Sequence, residues 1–310
     1  MKKKINKFRL LSKDFGFLYA IKYYFLRETK QYDKYVELVY NRLVSILKPI
    51  IDKYNCDNNY SSDMKESNNI WVCWWQGYDN MPLLCKMCYN RMLSVIPNGY
   101  NLVLITKDNY KEYVEIPEVI INKLNDGMIA VTQFSDILRN ALIYYNGGLW
   151  LDVSIWVNNN FFEFIDNDNE FWSVKLHSID NPNIWGQLIS RCEWASFILY
   201  GKKNNIVSKF VYESMCYYFS HYDSTIDYFL QNMTIRIGYD NIERISAIIK
   251  SIKVSNEKIY DLYKYMDLPF VDSKWKELCM NTGFFKLTQK REYKETYNGN
   301  FTFYSFLKSL

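Results

Sequence analysis

The stretch FSDILRNALIYYNGGLWLDVSIWV, residues 134–157, decides the fold of this chain because it joins a helix to a strand through two glycines. Apolar residues recur at helical spacing as far as Tyr145, and residues 149–151 then form a short apolar run that is typical of a strand. Between them, Gly147 can adopt the left-handed conformation that ends a helix, and Gly148 lets the backbone pass close to its neighbours. The stretch therefore predicts a helix, a tight break and a strand.

Three charged residues of this stretch are predicted to lie together. Asp136 and Arg139 are three positions apart, which makes them neighbours on the surface of a helix. Ser135 or Thr132 can cap the start of that helix, and a carboxylate in the first turn meets the positive end of the helix dipole, so we expect Asp136 to stay ionised. Asp152 follows the strand directly, at the edge where open α/β sheets bind their ligands.

A strand, helix, strand unit precedes this stretch. Residues 70–75 form a compact β-prone run, residues 84–95 place apolar side chains on one helical face, and residues 102–105 read as a second strand. Such a unit places two parallel strands in one sheet, with ligands beyond their carboxyl ends. The predicted class is α/β.

The N-terminal region differs from the rest in charge. Residues 1–50 contain 12 Lys or Arg against 4 Asp or Glu, a surplus of +8, whereas the whole chain carries +4. We expect two or three helices in residues 1–54, a polar linker at 55–69 and one large domain at 70–310. Apolar residues recur at helical spacing through the basic region, at Phe8, Leu11, Phe15, Leu18, Ile21, Tyr24 and Phe25.

This pattern is typical of a basic amphipathic helix on an anionic membrane surface. The alternative is an arm that packs on its own domain or on a partner chain. The sequence contains no run of about 18 uncharged apolar residues, so it predicts no membrane span. We therefore expect a cytoplasmic protein, peripheral on the inner face of the plasma membrane.

Composition excludes several classes of protein. A hydrophobic content of 49% predicts a large core, and two histidines leave little material for a zinc enzyme or a Ser/His/Asp triad. Neither GxGxxG nor GxxxxGK[ST] occurs, which argues against dinucleotide and P-loop enzymes. The seven cysteines, an odd number, read as free thiols, with Cys85 and Cys88 in the core. Nucleic-acid binding is disfavoured because the chain beyond the basic arm is net acidic.

The motif SDxxR followed by GGxWxDxS resembles the nucleotide-sugar signature of the capsular polysaccharide synthesis family, which is related to glycosyltransferase family thirty-two and to the clostridial glucosylating toxins. Three flanking motifs extend the resemblance over roughly residues 68–305: IWVCWWQG at 70–77, DYFL at 227–230 and FKLTQK at 285–290. The resemblance implies a GT-A-type, Rossmann-like domain with a mixed central sheet that binds a nucleoside diphosphate sugar, usually with Mn²⁺ or Mg²⁺.

The resemblance also implies roles for individual residues. Asp136 and Arg139 would hold the donor sugar and ribose, and Asp152 would be the first acid of a DxD motif that receives the metal. Ser154 stands where the second acid is expected; a hydroxyl can ligate Mg²⁺ but adds no negative charge. Lys286 would neutralise the departing diphosphate, with Lys290 and Arg291 as alternatives.

Other candidate residues lie along the same resemblance. Trp75, with Trp74 as the next choice, would stack on the nucleotide base, and strand alternation predicts that one of the two faces the site while the other is core. Gly77 of the WxG pattern and Gly148 are placed with the donor-binding residues. The acids that we would test for acceptor contact or activation are Glu193 and Asp227, although a structural role is the stronger expectation for both.

The predicted function is transfer of a sugar from a nucleoside diphosphate sugar to a capsular or related glycan, free or lipid-linked, with retention at the anomeric carbon. A front-face route without a glycosyl-enzyme fits, since the sequence offers no convincing covalent nucleophile. The alternative is a non-catalytic sugar-nucleotide binder or scaffold in a polysaccharide assembly complex, which Ser154 and the basic arm would suit.

Overall fold

The structure is a computed structural model that describes residues 2–56, 64–177 and 185–310. Residues 57–63 of the predicted linker lie outside the described residues. The helices are α1 (Lys2–Phe15), α2 (Phe17–Glu28), α3 (Tyr32–Cys56), α4 (Leu83–Val95), α5 (Glu118–Asn125), α6 (Val131–Asn146), α7 (Trp185–Ser190), α8 (Ile206–His221), α9 (Leu230–Asn241), α10 (Glu243–Ser251), α11 (Leu262–Tyr265), α12 (Asp272–Cys279) and α13 (Phe303–Ser309).

The strands form one central sheet and two small ribbons. They are β1 (Asn69–Cys73), β2 (Asn101–Ile105), β3 (Gly148–Leu151), β4 (Ile155–Val157), β5 (Phe171–Ser173), β6 (Ile198–Gly201), β7 (Phe284–Lys286), β8 (Thr296–Tyr297) and β9 (Asn300–Phe301). The central sheet has the order β2-β1-β3-β6-β5. Strand β1 pairs in parallel with β2 and β3, whereas β6 pairs antiparallel with β3 and β5. The predicted α/β class with a mixed central sheet is confirmed.

The junction between α6 and β3 explains the double glycine. Gly147 ends the helix with φ 70° and ψ −177°, so its positive φ agrees with the prediction while its ψ is extended rather than left-handed helical. Its N–H donates to Ile143 O at 2.8 Å. Gly148 has φ 107°, and a Cβ there would lie 2.3 Å from the carbonyl oxygen of Asn69. The glycine therefore allows β3 to pair closely with β1.

The start of α6 differs from the prediction. The helix begins at Val131 after the N-cap residue Ala130, so Asp136 lies in the second turn rather than the first. The capping roles predicted for Ser135 and Thr132 are wrong, because no side chain caps this helix.

The basic N-terminal region is three helices that share the main hydrophobic core with the central sheet. Gly16, with φ 95°, interrupts the predicted single amphipathic helix between α1 and α2. Leu11 and Phe15 are buried, whereas Leu18 and Ile21 point to solvent. The buried face packs on the chain's own domain, and an apolar face of α2 stays exposed.

A second antiparallel pair brings the C-terminal part of the chain to the end of β3. Strand β7 pairs with β4, with Lys286 opposite Ile155. The N–H of Leu287 donates to Ser154 O at 3.0 Å, and the N–H of Lys286 donates to Ile259 O at 2.8 Å. Main-chain hydrogen bonds thus fix Lys286 beside the Asp152 segment.

Candidate functional site

A cavity of about 1180 Å³ opens at the carboxyl ends of β1 and β3. All four parts of the sequence that carry the family resemblance contribute to its lining. These lining residues include Trp74, Trp75, Gln76, Asp136, Arg139, Asp152, Ser154, Tyr228, Phe229, Lys286, Thr288 and Lys290. The volume is slightly above the usual range for small-molecule pockets, about 300–1,000 Å³, and leaves room for two reactants.

Asp152 is the centre of a charged cluster in this cavity. Its Oδ1 accepts hydrogen bonds from Arg139 Nη2 and from Trp150 Nε1, both at 3.1 Å. Its Oδ2 accepts from Lys286 Nζ at 2.8 Å. Both carboxylate oxygens are therefore held by protein donors, two of which carry positive charge.

Arg139 is a buried connector within the cluster. Its Nη1 donates to the carbonyl oxygen of Ser196 and to Gln231 Oε1, the latter at 2.8 Å. Its Nη2 faces Asp152 and lies 3.4 Å from Asp136 Oδ1. The guanidinium also lies over the ring of Trp150, 4.8 Å from the ring centroid. Although Arg139 lines the cavity, its terminal N–H groups are used within the protein, so it positions the two acids.

The two acids have opposite pKa shifts. Burial raises the pKa of Asp136 to about 7, and the charge of Asp152 adds to this effect while Arg139 opposes it. Burial also acts to raise the pKa of Asp152, but Lys286 and Arg139 outweigh it and hold that pKa below its usual value. Asp152 is thus ionised at neutral pH, whereas Asp136 is close to its midpoint. The expectation that helix-dipole stabilisation keeps Asp136 ionised is wrong, because the carboxyl lies in the second turn and has lost most of its contact with water.

Trp74 and Trp75 both line the cavity. The prediction that one of them is core is wrong, because β1 ends at Cys73 and strand alternation no longer applies. Trp75 packs against Phe134, with ring centroids 4.9 Å apart, and Trp74 donates from Nε1 to the carbonyl oxygen of Asn80 at 3.1 Å. Each indole is fixed on one side and half-buried at the cavity wall.

The two glycines assigned to the donor site do not line the cavity. Gly77, with φ 84°, lies in the turn after β1, where its N–H donates to Trp74 O at 2.9 Å. Gly148 lies against the backbone of β1. Their effect on the site is through the path of the backbone.

The two acids suggested for the acceptor are held elsewhere. Glu193 pairs with Lys175 at 2.6 Å, and the carboxylate of Asp227 accepts from the hydroxyl of Tyr35 and from the N–H of Phe229. Neither acid lines the cavity. These contacts support the structural role that the sequence favoured.

The alternatives to Lys286 are separated by the structure. Lys290 lines the cavity, whereas Arg291 pairs with Asp267 at 2.9 Å and does not line it. Of the three basic residues, Lys286 is the one that contacts Asp152.

Sequence reasoning missed the polar residues that follow the DYFL motif. Gln231 accepts from Arg139, and Asn232 accepts from Trp194 Nε1 at 3.0 Å and donates to Ser196 Oγ at 3.1 Å. Both lie in the first turn of α9 and line the cavity. The DYFL motif indicates the segment in which they lie, but nothing in the sequence distinguishes Gln231 and Asn232 from surface residues.

The residues present do not fit the predicted metal ion. Asp152 and Ser154 are the expected ligands, but Lys286 Nζ donates to Asp152 Oδ2 and to Ser154 Oγ, at 2.8 and 3.1 Å. Mg²⁺ is usually bound through one or two carboxylates together with substrate phosphates and waters, but the carboxylate of Asp152 already accepts from Lys286, Arg139 and Trp150. Within the part of the chain that the structure describes, no group of three or more His, Cys, Asp or Glu side chains could hold a metal.

Other sequence expectations agree with the structure. The seven cysteines are not joined by disulfide bonds, and Cys85 and Cys88 are buried. Within residues 2–56, 64–177 and 185–310, none of the helices has the length and apolar character that crossing a membrane requires.

Comparison with known families identifies the family to which the chain belongs. A family model described as capsular polysaccharide synthesis protein matches residues 20–307, and the chain belongs to this family. The resemblance is thereby confirmed, and the match extends further toward the N-terminus than the motifs did, into α2. No curated protein matches the chain, and no solved structure does.

Proposed function

We propose that the protein is a glycosyltransferase with a GT-A-type fold that moves a sugar from a nucleoside diphosphate sugar to a capsular or related surface glycan, free or lipid-linked. The observation that carries this proposal is that Asp136, Arg139, Asp152 and Lys286 meet in one cavity beside two tryptophans. A sugar nucleotide combines an aromatic base, an anionic diphosphate and a ring of hydroxyl groups. The cavity offers a matching surface for each part.

Each part of the donor has a candidate partner. The base stacks on Trp75 or Trp74, which present indole surfaces at the end of β1. The diphosphate lies near Lys286 and Lys290, and the sugar hydroxyls bind Asp136. Arg139 holds the acids in place from behind, which makes it a positioning residue.

The chemistry requires charge on both sides of the breaking bond. The bond from the anomeric carbon to the phosphate oxygen breaks, its electron pair leaves with the diphosphate, and positive charge develops on the sugar ring. Asp136 and Asp152 stabilise the ring, while Lys286 stabilises the leaving group through preorganised electrostatics. The acceptor hydroxyl forms the new bond to the anomeric carbon.

Retention through a front-face route is the stereochemical proposal. Both oxygens of Asp152 are held by protein donors, among them Arg139 and Lys286, which makes this carboxylate a poor covalent nucleophile. In the front-face route the acceptor approaches on the side of the departing diphosphate. The proton of its hydroxyl goes to a phosphate oxygen, so the step needs no glycosyl-enzyme.

A non-catalytic sugar-nucleotide binder or scaffold is the second candidate. It is favoured by the ion pairs with Arg139 and Lys286 that hold both oxygens of Asp152 within the protein. A binder would keep its affinity for the donor and show neither hydrolysis nor transfer.

We also propose that the protein works at the cytoplasmic face of an anionic membrane. The exposed face of α2, here called the apolar face, consists of Phe17, Leu18, Ile21 and Phe25, with Leu18 80% and Phe17 61% exposed. The surrounding 50 residues carry a surplus of +8 from 12 basic against 4 acidic residues. Anionic lipid suits both properties, because its headgroups attract the basic residues while its acyl chains accept the apolar side chains.

A panel of nucleotide sugars tests the glycosyltransferase proposal. We expect selective donors to raise the melting temperature and to be hydrolysed or transferred by the full-length protein, since a ligand that binds only the folded state stabilises it. Asp152→Asn should lower turnover by on the order of 10² or more, the effect of losing a principal electrostatic contact. Asp126→Asn, at an exposed acid outside the cavity, is the matched control.

Two results would decide against the proposal. Binding without any turnover would support the scaffold hypothesis. If no nucleotide sugar changed the melting temperature or was turned over, both functions would be refuted.

A further inference from the structure

Lys286 occupies the position that the motif assigns to a metal ion. Its Nζ lies 2.8 Å from Asp152 Oδ2 and 3.1 Å from Ser154 Oγ, the two oxygens that a DxD-like segment would offer to a cation. This placement is built into the backbone, because β4 and β7 pair with Lys286 opposite Ile155. Lys286 therefore reaches these oxygens from a hydrogen-bonded strand.

The negative charge of Asp152 is compensated without a metal. Ser154 replaces the second acid of the motif, so Asp152 is the one carboxylate at this position. Asp152 already pairs with two cations, Lys286 and Arg139, and a divalent cation would add to this positive charge. A metal would also have to displace Lys286 and compete with Arg139 and Trp150, which hold the other oxygen of Asp152 at 3.1 Å.

Lys286 can still bind a ligand. An ammonium group has three N–H donors, of which two are used by Asp152 and Ser154. The side chain is 24% exposed and lies at the cavity surface, with Nζ 4.7 Å from the ring centroid of Phe197. The remaining donor is available to a phosphate oxygen, and Lys290 lines the same cavity.

We infer that the ammonium group of Lys286 is the resident cation of this site and binds the diphosphate of the donor in place of a divalent metal ion. This inference rests on the proposed function and specifies how the leaving group is bound. The charge-assisted hydrogen bond from Lys286 supplies the positive charge that a metal would otherwise provide.

Calorimetric titration of UDP, GDP, CDP and ADP into the full-length protein tests the inference. Each titration is run with EDTA, with Mg²⁺ and with Mn²⁺. The nucleotide that binds should do so with the same Kd, within about twofold, under all three conditions. Lys286→Met should weaken its binding about 10-fold or more, while Lys286→Arg should retain part of the affinity. Lys276→Met, at an exposed lysine of α12, is the matched control and should bind as the unchanged protein does.

A double variant gives a second, independent readout. Ser154→Asp combined with Lys286→Ala removes the ammonium group and restores the second acid, so nucleotide binding should become dependent on Mn²⁺. Binding by the unchanged protein that is lost in EDTA and recovered in Mn²⁺ would overturn the inference and leave the proposed function intact. Unchanged affinity in a folded Lys286→Met protein would also overturn it. If no nucleotide or nucleotide sugar bound with or without metal, the proposed function itself would fail.

Discussion

The charge of Asp136 depends on its burial rather than on its position in the chain. The sequence places it three residues before Arg139, and the structure confirms this pairing at 3.4 Å. Burial nevertheless raises its pKa to about 7, because one partly shared guanidinium does not replace the water that the carboxyl loses. A sequence shows the partner, but it does not show the extent of desolvation.

The raised pKa of Asp136 predicts a pH dependence of stability. Between about pH 4 and 7 the folded protein retains a proton that the unfolded chain has released, so the free energy of unfolding should fall as the pH rises through this window. The slope due to this group has a limit of about 1.4 kcal/mol per pH unit. Urea denaturation of Asp136→Asn should show a flatter profile than the unchanged protein over the same pH range.

Asp126→Asn is the control for this measurement, because the residue is exposed and lies outside the cavity. It should keep the slope of the unchanged protein. An Asp136→Asn protein with that same slope would contradict the assigned pKa.

At the scale of the elements, the contact between β1 and β3 depends on the absence of a side chain at Gly148. We expect Gly148→Ala to lower the free energy of unfolding by on the order of 2–4 kcal/mol, because φ is 107° and a Cβ would lie 2.3 Å from the carbonyl oxygen of Asn69. Gly99→Ala shares a positive φ, 88°, but has no atom within 4 Å of its Cβ. It should cost about 1 kcal/mol. Equal losses in the two variants, measured by urea denaturation, would show that the close approach of the strands is unimportant.

The apolar face of α2 makes a prediction at the same scale. Leu18→Ser combined with Ile21→Ser should reduce sedimentation with anionic phosphatidylglycerol vesicles at least about 10-fold, because each apolar side chain contributes roughly 1.5 kcal/mol or more when buried. Binding should also weaken with salt and be weaker on neutral phosphatidylcholine vesicles. Met280→Ser removes an apolar side chain of similar exposure, 60%, outside the arm and should have no effect. Failure of the unchanged protein to sediment with anionic vesicles at low salt would refute the membrane proposal.

At the scale of the whole molecule, the N-terminal helices and the cavity belong to one packed structure. The hydroxyl of Tyr35 in α3 donates to Asp227, whose other oxygen accepts from the N–H of Phe229 at 2.8 Å. Tyr228 and Phe229 line the cavity. A hydrogen bond between two residues 192 positions apart in the sequence, Tyr35 and Asp227, therefore links the N-terminal helices to the cavity wall.

We expect Tyr35→Phe to lower the free energy of unfolding by about 1–3 kcal/mol, because it leaves the buried carboxylate of Asp227 with one donor fewer. Tyr19→Phe is the matched control: its hydroxyl is buried without a hydrogen-bond partner among the described residues, so its removal should be neutral or stabilising. Urea denaturation followed by tryptophan fluorescence measures this loss of stability. All nine tryptophans lie beyond residue 70, so the signal reports the unfolding of the domain that contains the cavity. If Tyr35→Phe and Tyr19→Phe had equal stability, the contact with Asp227 would contribute nothing.

The sequence by itself determined the local features of this protein. Helical spacing placed Asp136 beside Arg139, the double glycine ended α6, and the apolar run before Asp152 gave a strand. These features depend on residues that are close in the chain, so periodicity and glycine content are sufficient to predict them. The family motifs are also short runs of neighbouring residues, and they identified the segments that line the cavity.

Only the tertiary structure decided how distant groups meet. Lys286 lies 134 residues from Asp152, and the register of β4 with β7 brings its ammonium group to the oxygens that the sequence assigned to a metal. The position at which β1 ends, Cys73, allows both tryptophans to line the cavity. Loss of contact with water raises the pKa of Asp136. Strand register and desolvation are properties of the assembled core, because they arise from contacts between segments that the local sequence pattern does not specify.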